Sequence, residues 1–194
     1  MEKYNLILSA EEQFAREVTL GAIVAKPPSA FFYLIPGMFI IDYLRRGSAI
    51  RKYSQHFMFP RKLAVDAARS IIQGEEESSV RVHVENDTQA WLSSLNLFSD
   101  DLLKIHMVLL DVLIEHYSAL LNAEGDSYYL LVEDAYQNRE NFQWILQKIT
   151  KAENEVDRQI IELHGDNDRI KDKIVIEQQQ IAKRRDKLIE AVFP

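Results

Sequence analysis

The residues best suited to acid–base chemistry are two carboxylates on one predicted helix. Asp111 and Glu115 lie four residues apart, so a helix places them on one face. Two carboxylates that are buried together can raise each other's pKa, and His106 lies on the same predicted helix. Such residues also commonly form structural ion pairs with Arg or Lys of a neighbouring helix. They give an alternative function for the chain: a small helical enzyme or ligand-binding bundle with an internal pocket that uses Asp111, Glu115 or His106.

Other catalytic and cofactor patterns are absent from the 194 residues. The chain has no cysteine, and its five histidines show neither the Glu-x-x-His spacing of di-iron bundles nor a His-x-x-x-His pair. Glycine-rich phosphate loops and the G-x-S-x-G nucleophile motif are also missing. We therefore predict no metal, no cofactor and no catalytic residue, and we favour a protein that is not an enzyme.

Residues 27–62, here called the basic aromatic segment, differ from the rest of the chain. The whole chain has a formal net charge of −7, whereas this segment holds six Arg or Lys residues and one acid. Twelve uncharged residues, 30–41, precede the basic ones. We predict that the segment docks on an acidic partner protein or on an anionic membrane surface. The predicted contact residues are Arg45, Arg46, Arg51, Lys52, Arg61, Lys62, Tyr43, Tyr53 and Phe57.

Two other interpretations of the basic aromatic segment stay open. Cations interleaved with aromatic residues would also suit phosphates and stacked bases, but the acidic total and the lack of a reader motif argue against nucleic acid as the partner. Alternatively, the apolar residues of the segment belong to the bundle core, because aromatic side chains dominate cores. A run of twelve uncharged residues is too short for a membrane-spanning helix, which needs roughly 17–25 residues.

Local signals divide the first third of the chain into short helices. Ser9 and Glu12 form a capping-box pattern, which predicts a helix over 10–25 that ends before the proline pair at 27–28. Helices are also predicted over 36–46, 48–57 and 60–73. Gly47 and Pro60 mark the breaks between them, because glycine favours helix ends and proline favours helix starts.

The middle of the chain predicts two more helices. Val80, Val84, Trp91 and Leu95 fit one helical stripe. Ser99 is placed to cap the next helix, whose residues 102–121 are apolar on nearly every side. A helix that is hydrophobic all round lies at the centre of a bundle.

From about residue 140, large apolar residues recur at a seven-residue spacing, as in coiled coils. Five positions interrupt this pattern: Glu153, Asn167, Glu177, Arg184 and Ala191. Gly165, followed by capping residues, leaves two alternatives open, one long helix or a helical hairpin that turns there. We predict that this arm self-associates through Ile149, Val156, Ile160, Leu163, Ile170, Ile174, Ile181 and Leu188.

These patterns predict an all-α fold, a multi-helix bundle with a C-terminal coiled-coil or helical-hairpin arm. The bundle comprises residues 1–139, including the basic aromatic segment, and the arm comprises residues 140–194. The predicted function is a non-enzymatic interaction or scaffold protein that binds partners or itself through the arm. The first residues lack the pattern of a secretion signal, so we expect the protein in the cytoplasm, either free or attached to a membrane surface.

Overall fold

A computed structural model describes residues 2–24, 38–163 and 168–194. Within these ranges, the side chains of residues 22–24, 38–54 and 169 lie outside the description. The described residues form the helices α1 (Glu2–Val24), α2 (Met38–Ile72), α3 (Glu77–Ser94), α4 (Asp100–Asn122), α5 (Tyr128–Tyr136), α6 (Arg139–Leu163) and α7 (Asp168–Val192). They contain no β-strand, which confirms the predicted all-α class.

Helix α4 lies at the centre of the bundle and packs against α1, α2, α3, α5 and α6. As predicted, Ser99 caps it, and the Ser99 hydroxyl accepts a hydrogen bond from the N–H of Leu102 at 3.1 Å. The buried side of α4 includes large apolar residues such as Leu110, Leu113 and Leu120. Its burial is not complete on every side, because Val108 is 57% exposed.

Helix α1 begins earlier than the capping-box pattern predicts. It starts at Glu2, so Ser9 lies inside the helix and does not cap it. The physical reason is that Ile7, which precedes Ser9, is as fully buried as Ala15 and Val18 farther along the helix. Helical structure therefore continues for as long as the chain has an apolar face to bury.

Helix α2 runs unbroken through Gly47 and Pro60, so the two predicted breaks are wrong. A proline inside a helix removes one backbone hydrogen bond and destabilises the helix by about 3 kcal/mol. Ala64, Val65 and Ala68 follow Pro60 and are fully buried in the core. Because α2 packs against α1, α3 and α4, tertiary contacts outweigh the local breaking signals.

Residues 77–94 form the predicted helix α3, which is confirmed. Its buried residues are Val80, Val84, Thr88 and Leu92. Towards the C-terminal end of the helix, the buried residue is therefore Leu92 and not its neighbour Trp91, which the sequence pattern predicted. Trp91 lies at the edge of this stripe, where its ring stacks on Phe59 of α2 with centroids 4.6 Å apart.

Helices α6 and α7 run antiparallel to each other. Arg185 donates to the Thr150 hydroxyl at 2.5 Å. About two turns farther along α6, and two turns earlier in α7, Gln178 donates to the Asp157 carboxylate at 2.9 Å. Successive contacts thus join later residues of α6 to earlier residues of α7, as in a hairpin. The described parts of α6 and α7 therefore pack as an antiparallel pair, and the predicted turn at Gly165 lies outside the described residues. Coiled-coil pairing stays a prediction.

The Asp157 carboxyl between these helices predicts a pH-dependent stability. Burial raises its pKa from 3.8 to about 6, the Gln178 hydrogen bond opposes the rise, and nearby Glu153 adds to it. The folded state therefore binds this proton more tightly than the unfolded state, and stability falls as the pH rises from about 4 to about 6. Asp157→Asn cannot ionise and keeps an oxygen that accepts from Gln178, so we expect it to stabilise the fold by about 2 kcal/mol at pH 7.5.

Urea denaturation checks this prediction at two pH values. The gain at pH 4.5 should be less than half of that at pH 7.5, because wild-type Asp157 is then largely protonated in the folded state. Asp186→Asn changes an exposed carboxylate of α7 and should alter stability by less than about 0.5 kcal/mol at either pH. An equal gain for Asp157→Asn at both pH values would contradict the assignment.

Candidate ligand-binding cavity

The structure does not gather Asp111, Glu115 and His106 into one pocket. Asp111 accepts from Arg81 at 2.9 Å and Glu115 accepts from Lys148 at 2.6 Å, and both carboxylates are about half exposed on the bundle surface. Asp111 and Glu115 therefore form structural ion pairs with neighbouring helices, which was the alternative to a catalytic role.

His106 is buried inside the bundle, away from those two carboxylates. Its Nδ1 is 3.0 Å from the carbonyl oxygen of Leu102, and its ring meets Trp91 edge-on. Burial lowers the pKa of His106, so the ring is neutral and acts as a core residue.

The basic aromatic segment is only partly described. The side chains of Arg45, Arg46, Arg51, Lys52, Tyr43 and Tyr53 lie outside the described residues. Lys62 is exposed, as a contact residue requires, whereas Phe57 is half-buried against Phe14 of α1 with ring centroids 6.0 Å apart.

Arg61 is the clear correction to the predicted contact surface. Only 5% of the residue is exposed, and its guanidinium pairs with Glu11 of α1 at 3.1 Å and with Glu153 of α6 at 2.6 Å. The Phe57 ring lies 3.8 Å from the guanidinium carbon. Arg61 therefore serves the interior of the bundle and is closed to an external partner.

Arg61 belongs to a buried ionic network that joins four helices. Arg185 of α7 completes it, donating to both carboxylate oxygens of Glu153 at 2.8 and 3.1 Å. Together, Glu11, Arg61, Glu153 and Arg185 contain two positive and two negative groups, so their formal charges cancel.

Electrostatics keeps Glu153 and Arg61 ionised. Burial alone would raise the pKa of Glu153, but Arg185 and Arg61 outweigh burial and lower it. Burial alone would lower the pKa of Arg61, but Glu153 and Glu11 outweigh burial and raise it. The Arg61–Glu153 contact therefore remains an ion pair across the ordinary pH range.

Next to this network lies a cavity of about 550 Å³. α1 and α7 form two of its sides, α4 and α6 contribute residues that are buried in the core, and the start of α5 lines one end. Its apolar walls include Leu6, Phe14, Leu113, Leu146, Ile149 and Leu188. Exposed residues, including Tyr129, Lys187 and Ala191, also line the cavity, so it opens to solvent at a rim between α5 and α7.

Polar groups converge on one side of the cavity. Glu11, Arg61 and Arg185 of the ionic network line it, together with Tyr117 and Tyr128. Tyr117 is 0% exposed, and its hydroxyl has no hydrogen-bond partner among the described residues. The buried walls of this cavity therefore carry polar groups that the protein itself does not satisfy completely.

Three neutral side chains line this polar side. Burial raises the pKa of Tyr117 and of Tyr128 well above 10, and the Glu11 carboxylate adds to both shifts. Burial lowers the pKa of His116 to about 3, and Arg185 and Arg61 add to that shift. At neutral pH the cavity thus presents two phenols and an uncharged imidazole beside the balanced ionic network.

Sequence reasoning missed this cavity, although one signal pointed to it. Glu153, Arg184 and Ala191 interrupt the seven-residue apolar pattern of the arm. Glu153 belongs to the buried network, Arg184 lines the cavity and pairs with Glu17 at 2.7 Å, and Ala191 lies at the rim. Polar or small residues at predicted interior positions therefore marked a site.

The predicted self-association residues divide into three groups. Ile149, Val156 and Ile181 are buried in the chain's own core. Ile160, Ile170, Ile174 and Leu188 are half-buried, and Leu163 is 45% exposed. Self-association through these residues stays a prediction.

Comparisons with known proteins add no identity to this site. No family model, no curated protein and no solved structure matches the chain. Among the described residues, no cluster of three or more His, Asp or Glu side chains could hold a metal ion. No helix in the same part of the chain is long and apolar enough to cross a membrane.

Removing Arg61 should destabilise the fold strongly. Arg61→Met deprives Glu11 of its ion pair and leaves Glu153 with Arg185 alone, and breaking a buried pair from one side typically destabilises a fold by about 3–5 kcal/mol. Arg81→Met is the matched control, since Arg81 is 57% exposed and its pair with Asp111 should contribute about 1 kcal/mol or less. Urea denaturation at pH 7 measures both; equal losses in the two variants would contradict a structural role for the network.

Proposed function

We propose that this bundle binds a small, largely apolar molecule in the cavity beside the Glu11–Arg61–Glu153–Arg185 network. The observation that supports this function is the cavity itself, a space of about 550 Å³ with mostly apolar walls and a few convergent polar groups. Binding sites for small molecules have this composition and volumes of about 300–1,000 Å³. The proposal keeps the ligand-binding alternative of the sequence analysis but moves its site from Asp111 and Glu115 to the α1–α7 side of the bundle.

The cavity is larger than the small voids that close-packed protein interiors leave. Because it opens to solvent at its rim, water fills it when no ligand is bound. A ligand with an apolar body gains free energy by displacing that water from the apolar walls.

The ionic network suits such a function because it fixes the cavity walls. Its pairs connect α1 and α6 to α2, and α7 to α6, through buried contacts of 2.6–3.1 Å. A ligand then enters a site that is already ordered and loses less free energy to conformational ordering on binding.

The binding proposal predicts uptake of a neutral probe that a substitution at the rim blocks. 1-Aminoanthracene fluoresces more strongly in apolar surroundings, and we expect wild-type protein to bind it with a micromolar dissociation constant. Ala191→Trp places a large side chain at the rim, and it should weaken binding at least tenfold because the ring obstructs the entrance.

The matched control for this titration is Ala182→Trp, an exposed position of α7 that does not line the cavity. Both positions are exposed, so both variants should unfold within a few degrees of wild type by circular dichroism. Ala182→Trp should bind the probe like wild type. Absence of binding to wild-type protein, or equal binding by the two variants, would refute the proposed function.

We also propose, as a second function, that the basic aromatic segment attaches the protein to an anionic membrane surface. The supporting observation is the order of residues: the uncharged run 30–41 is followed by Arg45, Arg46, Arg51 and Lys52. Apolar and aromatic residues can enter the boundary of a bilayer, while each nearby cation gains about 1 kcal/mol from anionic headgroups. An acidic partner protein is the competing target.

Vesicle flotation tests the attachment. Wild-type protein should float with vesicles that contain phosphatidylserine, but not with neutral vesicles, and 0.5 M salt should release it because salt screens the attraction. Charge reversal of Arg45, Arg46, Arg51 and Lys52 to Glu should abolish flotation.

The control for flotation reverses four exposed lysines elsewhere, Lys104, Lys151, Lys173 and Lys183, to Glu. It carries the same change in net charge and should still float. Failure of wild type to float, or equal loss in both variants, would refute membrane attachment by this segment.

A further inference from the structure

We infer that the ligand carries an uncharged oxygen, as in an alcohol or a ketone, and that Tyr117, Tyr128 and His116 receive this oxygen at the polar side of the cavity. This inference rests on the proposed binding function and specifies the class of ligand. Its basis is a comparison of the polar groups that the protein already satisfies with those that it leaves available.

The charged groups beside the cavity are already paired with one another. Arg61 pairs with Glu11 and Glu153, and Arg185 pairs with Glu153 and donates to Thr150. Arg184, on the α7 side, pairs with Glu17 at 2.7 Å, so its charge is matched, although its buried Nε–H has no hydrogen-bond partner among the described residues and is a further donor beside the cavity. A ligand ion at the polar side would therefore find no unpaired countercharge in the network.

An ionic head would also meet a like charge there. A carboxylate would lie near Glu11, whereas an ammonium would lie near Arg61 and Arg185, since all three line the same cavity. Moving an unpaired ion into a protein interior costs several kcal/mol. An uncharged head avoids this cost.

The available groups are hydrogen-bond donors. The buried Tyr117 hydroxyl makes no hydrogen bond of ordinary geometry among the described residues, although the Glu11 carboxylate lies close enough to act on it as an acceptor. The Glu11 carboxylate also influences the Tyr128 hydroxyl, which lines the same cavity. Both are phenols at neutral pH, and a phenol can donate its O–H. An oxygen with free lone pairs is the natural complement.

His116 adds a third donor. Its Nδ1 lies 2.6 Å from the Tyr136 hydroxyl, and the ring is neutral. When the Tyr136 O–H donates to Nδ1, the remaining proton of the neutral ring is on Nε2. This tautomer makes Nε2–H available, while the Glu11 carboxylate can accept a proton donated by a ligand hydroxyl.

Lys187 at the rim favours a different ligand, one with an anionic head at the cavity entrance. It is exposed, lines the cavity and has no ion-pair partner among the described residues, so it would favour an anionic head that stays at the entrance. The two arrangements orient the ligand oppositely, with its polar head either at the polar side of the cavity or at the entrance. Comparing the affinities of ligands that differ only in their head group distinguishes the two arrangements.

The experiment is displacement of 1-aminoanthracene from wild-type protein by molecules of one chain length: 1-decanol, 2-decanone, decanoate and decylammonium. We expect the alcohol and the ketone to bind at least tenfold more tightly than either ion. Tyr128→Phe and Tyr117→Phe should each weaken 2-decanone binding three- to tenfold. Circular dichroism should show that both variants remain folded, because each keeps the aromatic ring and loses only a hydroxyl. The affinity of each variant for 1-aminoanthracene is measured first and is used to correct its displacement curves.

The outcomes separate the two proposals. If 1-aminoanthracene does not bind to wild-type protein, the proposed function itself fails. If it binds, but decanoate competes best and Lys187→Met removes that advantage, the cavity is a binding site and the inferred head group is wrong. Unchanged 2-decanone affinity in both phenylalanine variants would also overturn the inference, whereas tight binding of the neutral pair with losses in those variants supports it.

Discussion

The position of Arg61 between two carboxylates is the constraint on which much of this bundle depends. A guanidinium that is 5% exposed is tolerated only when its charge is matched at close range, and Glu11 and Glu153 provide that match from two different helices. The register of α1 and α6 on α2 must satisfy both contacts together. Arg185 then extends the same requirement to α7. A hydrophobic core alone specifies such registers less strictly, because apolar contacts are not directional.

The ionic network and the cavity follow from the same feature of the packing. Charged side chains with long stems cannot fill space as tightly as branched apolar residues, and phenols beside them bring polar groups that need partners. α1 and α7 face each other across this region through Phe14, Leu188 and the Glu17–Arg184 pair, whereas other apolar residues of α4 and α6, such as Leu110 and Ile145, are buried in the hydrophobic core away from the cavity lining. The bundle thus has a close-packed side and a side with space, and the network lies beside that space.

Features that depend on neighbouring residues along the chain could be predicted, and features that depend on distant partners could not. Ser99 caps α4 as its local pattern indicates, and the all-α class follows from apolar periodicity. Pro60 was an equally local signal, but packing of α2 on three helices overrides it. Arg61 looked like one member of a basic surface cluster. Only its partners, 50 residues before and 92 residues after it, make it a core residue, and sequence spacing carries no information on such contacts.

The placement of α1 against α7 also has a consequence for the order of folding. The antiparallel α6–α7 pair joins residues that are near in sequence, so it can form early, whereas Glu17 and Arg184 meet from nearly opposite ends of the described chain. Closing so long a loop has a larger entropic cost and is expected to come late. α1 and α7 are both needed to enclose the cavity. During synthesis on the ribosome, the cavity therefore cannot form until α7 has emerged. A ligand that fits the cavity would therefore distinguish chains in which α7 has packed against α1 from chains in which it has not.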